Sequence, residues 1–381
     1  MGFSLLVLQT GLLLASTLYY LFTVYAAWRL FRQTAVPHFD SLPPVSIFKP
    51  LKGAPRDLYT NLASFCQLDY PTFQLLCGVQ DPQDPAIAVV QCLQRDFPTC
   101  DIALVINPEV IGNNYKVSTL YHLSHVAKHE LFVITDSDVC VEPGYLRAVL
   151  RPLAAPGVGL VTCPYRASTA RPFPALLESL IINTAFTPSV LVASQLEPTN
   201  YAFGATIAVK RQCLDAIGGF ATLADYLADD YYLGHLVAQV GYRIQIVPYV
   251  VETQPEVATL AGLLHHQLRW ARTQRNCRPG GYVGTCATHG TVWALLGLCL
   301  FWSSPFIRVL SFSALGIRFF SAAVVSWIFL RTSLPLSSLL FVPVADMVSF
   351  LVWCLSLGGK TVRWREYTFR VQNNGKMIRV S

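Results

Sequence analysis

Charged residues are scarce in this chain. They make up 13% of its 381 residues, where a water-soluble protein carries about a quarter. With 53% hydrophobic residues, that deficit argues against an ordinary soluble enzyme and for membrane association. From Met1 to Trp28 no charged side chain occurs at all. A secretory signal places its positive charge ahead of the apolar run, whereas Arg29 and Arg32 follow this one. The length suits one membrane span with the amino terminus outside and Arg29 inside; a buried helix of a soluble protein is the alternative. Among the 11 cysteines there is no CxxC pair, and Cys77, Cys163, Cys299 and Cys354 sit inside apolar runs. Reduced, buried thiols facing the cytosol are expected, not a disulfide framework or a zinc site. No internal repeat occurs. The net charge of +6 is too small to suggest a nucleic-acid partner. Its basic residues gather beside apolar segments, as at an anionic cytoplasmic leaflet.

What the chain does have is alternation. Pro37–Pro44 reads as a linker. From Val45 to about Pro255, short apolar runs (VSIFKP, FQLLCGV, IALVI, LFVIT, VGLVT, RIQIVPYVV) alternate with stretches of helical spacing (AIAVVQCLQRDF, KVSTLYHLSHVAKH, LESLIINTAF). That predicts one α/β domain with a largely parallel sheet, its ligands at the carboxyl ends of strands. The domain is placed at 45–280, after an anchor at 1–32. From 288 to 358 the chain is apolar again, broken by Arg308, Arg318 and Arg331. Two full spans plus one interfacial or re-entrant segment are expected there, then a basic cytoplasmic tail at 359–381. Arg318 and Asp346 lie within apolar runs and are read either as a snorkelled arginine and a structural aspartate or as acceptor recognition.

Acidic residues recur where apolar runs end. CGVQDPQDPA carries Asp81 and Asp84, TDSDV carries Asp136 and Asp138, and YLADDYYLGHLV carries Asp229 and Asp230 at an apparent helix start. Each alone could be turn or cap chemistry. Together they suit transfer from a nucleotide diphosphate. A divalent cation (Mg2+ or Mn2+) on two carboxylates neutralises the leaving group, and a carboxylate away from it takes a proton. In LLHHQLRWARTQR, Arg269 offers a planar fork for phosphate oxygens and Trp270 a wall. Arg272, Arg275 and Arg278 read as positive charges flanking a membrane helix. His122, His125 and His129 follow one another at helical spacing, but their segment reads as an amphipathic helix, not a metal site.

The order of these motifs resembles the ceramide glucosyltransferase family of GT-A-type enzymes, marked by three aspartate motifs and (Q/R)xxRW. The likeness runs from KPLKG (Lys49–Gly53) to VRWREYTFRV (Val362–Val371), and AFGATIAVKR is close to the hopanoid-related bacterial branch. The resemblance implies a GT-A (Rossmann-like) catalytic domain with flanking transmembrane helices. It implies a membrane-bound inverting glycosyltransferase moving one sugar, glucose or N-acetylglucosamine, from a UDP-sugar to the hydroxyl of a ceramide-like or hopanoid lipid. By position, Asp81 would contact the nucleotide, and Asp136 and Asp138 the diphosphate and metal. Asp230 would be the catalytic base, Lys116 would face the phosphates, and Arg269 and Trp270 would hold the leaving group. His266 stands where the family has Gln or Arg, which puts that position's role in doubt. The rival expectations are a processive polysaccharide synthase, and a non-catalytic membrane protein using the fold for binding.

Overall fold

The structure, a computed structural model, describes residues 2–32, 42–364 and 367–380. Residues 37–41 of the expected linker and Arg365, Glu366 and Ser381 of the expected tail lie outside the described residues. The chain opens with α1 (Gly2–Phe31). Four strands follow: β1 (Val45–Pro50), β2 (Phe73–Val79), β3 (Asp101–Ile106) and β4 (Leu131–Ile134). They pair in parallel in the order β3-β2-β1-β4. Beyond β4 the same seven-stranded sheet continues with Ile207–Lys210, Val158–Thr162 and Arg243–Ile246. Ile207–Lys210 runs antiparallel to both of its neighbours, so the sheet is mixed.

Both faces of the sheet are covered, which is why its strands read as nearly continuous apolar runs. On β1, Val45 and Ile47 face α2 (Leu58–Cys66) and α3 (Ala86–Asp96), whose Leu58, Leu62, Phe65, Val90 and Leu93 fill that layer. Phe48 faces the opposite way, onto Val117, Leu120 and Leu123 of α4 (Tyr115–Val126). The result is a three-layer α/β/α block whose strands β1, β2 and β4 finish at one edge. A second, three-stranded sheet pins the loop that follows β4: Val139–Cys140 pairs with Val251–Thr253, which pairs with Tyr165–Ala167.

Among the described residues, four helical segments are long and apolar enough to cross a membrane: Ser4–Phe31, Phe173–Leu196, Pro305–Phe329 and Leu336–Ser356. Phe173–Leu196 is mostly enclosed by the protein, whereas the other three show large apolar side chains such as Leu8, Leu18, Val309, Phe312 and Leu351 on their outer surfaces. Pro279–Thr288 and Gly290–Leu300 form a pair bent by 48°. The apolar stretch after Gly290 is split again at residues 301–304, where Ser304 caps a new helix at Ile307 N and Pro305 occupies its first position. α1 packs on this bent pair. Gln9 Nε2 donates to Trp293 O at 2.6 Å, and the Tyr20 hydroxyl donates to Thr288 O while receiving Gly290 N–H, both at 2.9 Å.

Arg318 and Asp346 meet inside this bundle. Arg318 Nε and Nη2 reach the two Asp346 oxygens at 2.9 and 2.5 Å. Arg318 also donates to the carbonyl and hydroxyl of Thr184, both at 2.9 Å, and Thr291 donates to Asp346. Thr184 lies in a π turn at Ile182–Phe186, where widening of the helix leaves a carbonyl for the guanidinium. This network joins three apolar segments and the bent pair, and it does so without an exposed charge. Cys299 and Cys354, expected to be buried, are exposed on the outer faces of their helices, while Cys77 and Cys163 are buried.

The basic end of the chain folds into a three-stranded antiparallel sheet, Thr361–Trp364, Tyr367–Val371 and Met377–Arg379. It packs Val362, Phe369, Val371 and Met377 against Leu227 and Tyr115. Arg272 Nη1 donates to Thr361 O at 2.6 Å, and Arg275 donates to Ser356 O and, at 2.6 Å, to Gly359 O. Two of the arginines expected to flank a membrane helix thus satisfy carbonyls where the last helix ends.

Candidate active site

The site lies where β4 leaves the sheet. Thr135 N bonds to Phe48 O and so ends β4, and Val139 N returns to Asp136 O at 3.4 Å, closing a tight turn that lifts Asp136 and Asp138 off the strand. Beneath the turn, Lys49 at the end of β1 is fully buried. Its Nζ donates to Thr135 Oγ1 at 2.7 Å and Asp136 O at 2.8 Å, and it stands 3.7 Å from the centre of the Phe65 ring. Burial pulls the Lys49 amine down to about 7 against the opposing charge of Asp138. Burial and the charge of Asp136 together push the Asp138 carboxyl up to about 7.

Opposite the turn stands Lys116 in the first turn of α4. Asn114 caps that helix, accepting from Val117 N, and its Nδ2 reaches Tyr226 O at 2.8 Å and Asp229 Oδ1 at 3.2 Å. One asparagine thus ties the start of α4 to the start of the helix Asp229–Gln239. Lys116 Nζ is 2.6 Å from Asp136 Oδ1 and 3.5 Å from Asp229 Oδ2. Burial opposes the ammonium charge, but Asp136, Asp229 and Asp230 outweigh it and hold Lys116 above its ordinary value.

Asp230 occupies the positive end of its helix, where a carboxylate is favoured. Its Oδ1 accepts from Tyr231 N at 2.7 Å and its Oδ2 from Gly204 N at 2.8 Å. Burial and the neighbouring Asp229 still raise its carboxyl to about 6, against the pull of Lys116. Gly204 is the meeting point. A Cβ built there would sit 3.0 Å from Asp136 Oδ2, 3.3 Å from Lys116 Nζ and 3.4 Å from Asp230 Oδ2. Without a side chain the loop Phe203–Thr206 passes this close to all three and displaces none of them.

Arg269 and Trp270 approach from the helix Leu260–Cys277. Burial lowers the Arg269 guanidinium, against four carboxylates: Glu178, Asp136, Asp230 and Asp229. Trp270 belongs to an aromatic wall, 5.6 Å from Phe186, which lies 5.2 Å from Tyr165 and 6.1 Å from Phe203 by ring centres. The structure therefore brings Lys116, Asp136, Asp138, Asp230, Arg269 and Trp270 into one neighbourhood. Asp81, at the end of β2, is exposed, and among the described residues its side chain accepts only from Gln83 N, at 2.8 Å. Its neighbour Asp84 is buried and grips Gly53 N with both oxygens, at 2.9 and 3.0 Å, joining two loops of that edge. His266 bonds to Glu178 at 2.5 Å and packs edge-on against Trp270, with no bond to the aspartates among the described residues. His122 bridges Asn107 and Glu109 O, and His125 meets Tyr121 O.

Lys49, Gly204 and Glu178 escaped the sequence reading. The available signal was a lone charge inside an otherwise apolar strand or helix, since full burial of Lys or Glu is rare without a partner.

The mixed sheet covered by helices on both faces has the GT-A-type fold, with the Asp-x-Asp turn at its carboxyl edge. The fold agrees with a mannosyltransferase from Pyrobaculum calidifontis, solved in complex with GDP-Man and Mn2+. It is 18% identical, with a TM-score of 0.51 over 92% of this chain and all of that one. The chain belongs to glycosyl transferase family 21, whose family profile matches residues 8–377. It is similar to ceramide glucosyltransferase 3 of Caenorhabditis elegans, 23% identical over 93% of this chain and 78% of that one. It is also similar to ceramide glucosyltransferase 1 of the same organism, 28% identical over 77% of this chain and 64% of that one. The chain is a glycosyltransferase.

Proposed function

We propose that this glycosyltransferase is membrane-bound and inverting, and that it moves one glucose or N-acetylglucosamine from a UDP-sugar to the hydroxyl of a membrane lipid, ceramide-like or hopanoid. The observation that carries the reading is the convergence of Asp136, Lys116 and Asp230 on Gly204. It sets a buried base beside the charges a diphosphate needs. The lipid acceptor is supported by the names of the relatives and by helices apolar enough for a bilayer. The catalytic domain is assigned to the cytoplasmic side, consistent with Arg29 and Arg32 after α1.

In this mechanism the acceptor oxygen attacks the anomeric carbon while the bond to the diphosphate breaks, and its electron pair leaves with UDP. Asp230 takes the hydroxyl proton. A carboxyl near 6 is ionised at neutral pH yet basic enough to receive that proton. Lys116 and Arg269 supply fixed positive charge toward the departing phosphates, and the aromatic wall excludes water around the reacting centre. Asp81 is assigned to the nucleotide. Asp136 and Asp138 would hold a divalent cation, and the donor set fits. They are hard oxygen ligands two residues apart, and among the described residues no other residue donates to the Asp138 carboxylate. When bound, the cation neutralises charge on the diphosphate.

The test is to incubate membranes containing the protein with labelled UDP-glucose or UDP-N-acetylglucosamine and with ceramide or a hopanoid polyol, with and without EDTA. A singly glycosylated lipid that disappears with EDTA is expected. A product that survives EDTA removes the cation, a ladder of sugars points to a polymerase, and no product from any pair refutes the assignment.

A further inference from the structure

The apolar segment Phe173–Leu196 carries a single charged residue, Glu178, and the side chain is 1% exposed. A carboxylate in such surroundings is costly unless donors take it up. One oxygen is taken up: Glu178 Oε1 accepts from His266 Nδ1 at 2.5 Å and Gln267 Nε2 at 3.1 Å. The other, Oε2, is buried without a partner among the described residues.

Both donors belong to the helix that carries Arg269. His266 and Arg269 are three residues apart and share a face, and Trp270 stands edge-on to the His266 ring at 5.0 Å. Among the described residues the Arg269 guanidinium makes no hydrogen bond, although the negative charges of Glu178, Asp136 and Asp230 act on it. We propose that Glu178 is a positioning residue for sugar transfer, with Oε1 fixing the rotation of the Arg269 helix through His266 and Gln267 and its charge keeping the guanidinium turned toward the Asp136–Asp230 cluster. Position 266 then needs an N–H donor, not a positive charge. The inference rests on the reading of Arg269 as the leaving-group cation.

The test uses the full-length, detergent-solubilised protein. Glu178→Gln keeps an acceptor for His266 and removes the charge. It is expected to lower kcat about tenfold or more without lowering the melting temperature, since the charge it removes is buried. Adding Arg269→Ala to Glu178→Gln should cost less than Arg269→Ala alone, because both disturb one device. His266→Leu should lower kcat, and His266→Gln, which retains an N–H donor, should recover most of that loss. Wild-type kcat and KM in Glu178→Gln, or costs of Glu178→Gln and Arg269→Ala that simply add, would overturn the proposal. Wild-type turnover of UDP-glucose with ceramide checks the underlying reading separately. The ratios among variants are taken with whichever sugar nucleotide and lipid the wild type accepts.

Discussion

Replacing Gly204 with alanine probes the centre of the site with one methyl group. That methyl would lie 3.0 Å from Asp136 Oδ2 and 3.3 Å from Lys116 Nζ, which must retreat by a few tenths of an ångström, and at the edge of ordinary contact, 3.4 Å, from Asp230 Oδ2. All three are side-chain ends, so the fold can absorb the change. Overpacking of this kind costs about 1–3 kcal/mol, and contact with side-chain ends alone puts Gly204→Ala at the lower end. Catalysis has no such latitude, because a misplacement of about 1 Å costs on the order of 100-fold. Gly204 N also holds Asp230 Oδ2 at 2.8 Å, so the base moves with the loop. Initial rates of sugar transfer, UDP affinity and thermal melting would be measured on purified protein. A loss of roughly tenfold to 100-fold in kcat with a melting shift of only a few degrees is expected. Full activity in Gly204→Ala would refute the convergence, since a methyl tolerated there means the three groups do not act at that point.

Asp230→Asn should lower kcat by about 100- to 10,000-fold, as loss of a general base does, and wild-type activity should fall as pH drops through about 6, where Asp230 takes up its proton. The same group sets a stability trend. Because its folded value lies above the ordinary 3.8, the folded state binds the proton more tightly, so its contribution to stability is lost as pH rises toward about 6. Asp230→Asn should therefore melt higher than wild type at pH 7.5, and an unchanged or lower melting point would contradict the burial of its charge. Arg318→Met leaves Asp346 buried and unpaired and should destabilise by about 3–5 kcal/mol. Arg318→Met with Asp346→Leu should recover most of that loss and retain turnover, whereas a stable but inactive double variant would reassign the pair to acceptor binding. Activity stripped by EDTA should return with Mn2+ or Mg2+, and metal-independent turnover would remove the cation from Asp136 and Asp138.

The strands of this fold were legible because burial on both sides leaves them apolar throughout: VSIFKP, FQLLCGV and VGLVT read as strands and are strands. Ile207–Lys210 was not picked out, and its antiparallel course is decided by its neighbours in the sheet. The candidate site divides in the same way. Asp136, Asp138 and Asp230 announce themselves as carboxylates at element ends. Gly204 does not, because its role is an absence of atoms at a point that exists only after three distant segments meet. Glu178 and Lys49 stand out only as lone charges in apolar runs, and the groups they bond to come from segments far away in the chain. Arg272 and Arg275 carry the composition of a membrane flank, yet their geometry is that of carbonyl caps.

Translation delivers Asp225–Leu227 and the helix beginning at Asp229 well before it delivers Met377. In the folded protein Met377 N bonds to Asp225 O at 2.7 Å, Leu227 N bonds to Gly375 O at 3.3 Å, and Asn113 Nδ2 holds both Asp225 Oδ1 and Met377 O. A nascent chain thus owns every acidic residue of the site while the loop leading to Asp230 still lacks its fastening. The last membrane-type helix, Leu336–Ser356, must emerge first, because the closing sheet follows it. Completion of the site thereby waits on a sheet that follows all four apolar segments in chain order. A chain without the strand Met377–Arg379 would keep its apolar helices and lose these bonds to the segment that leads to Asp230.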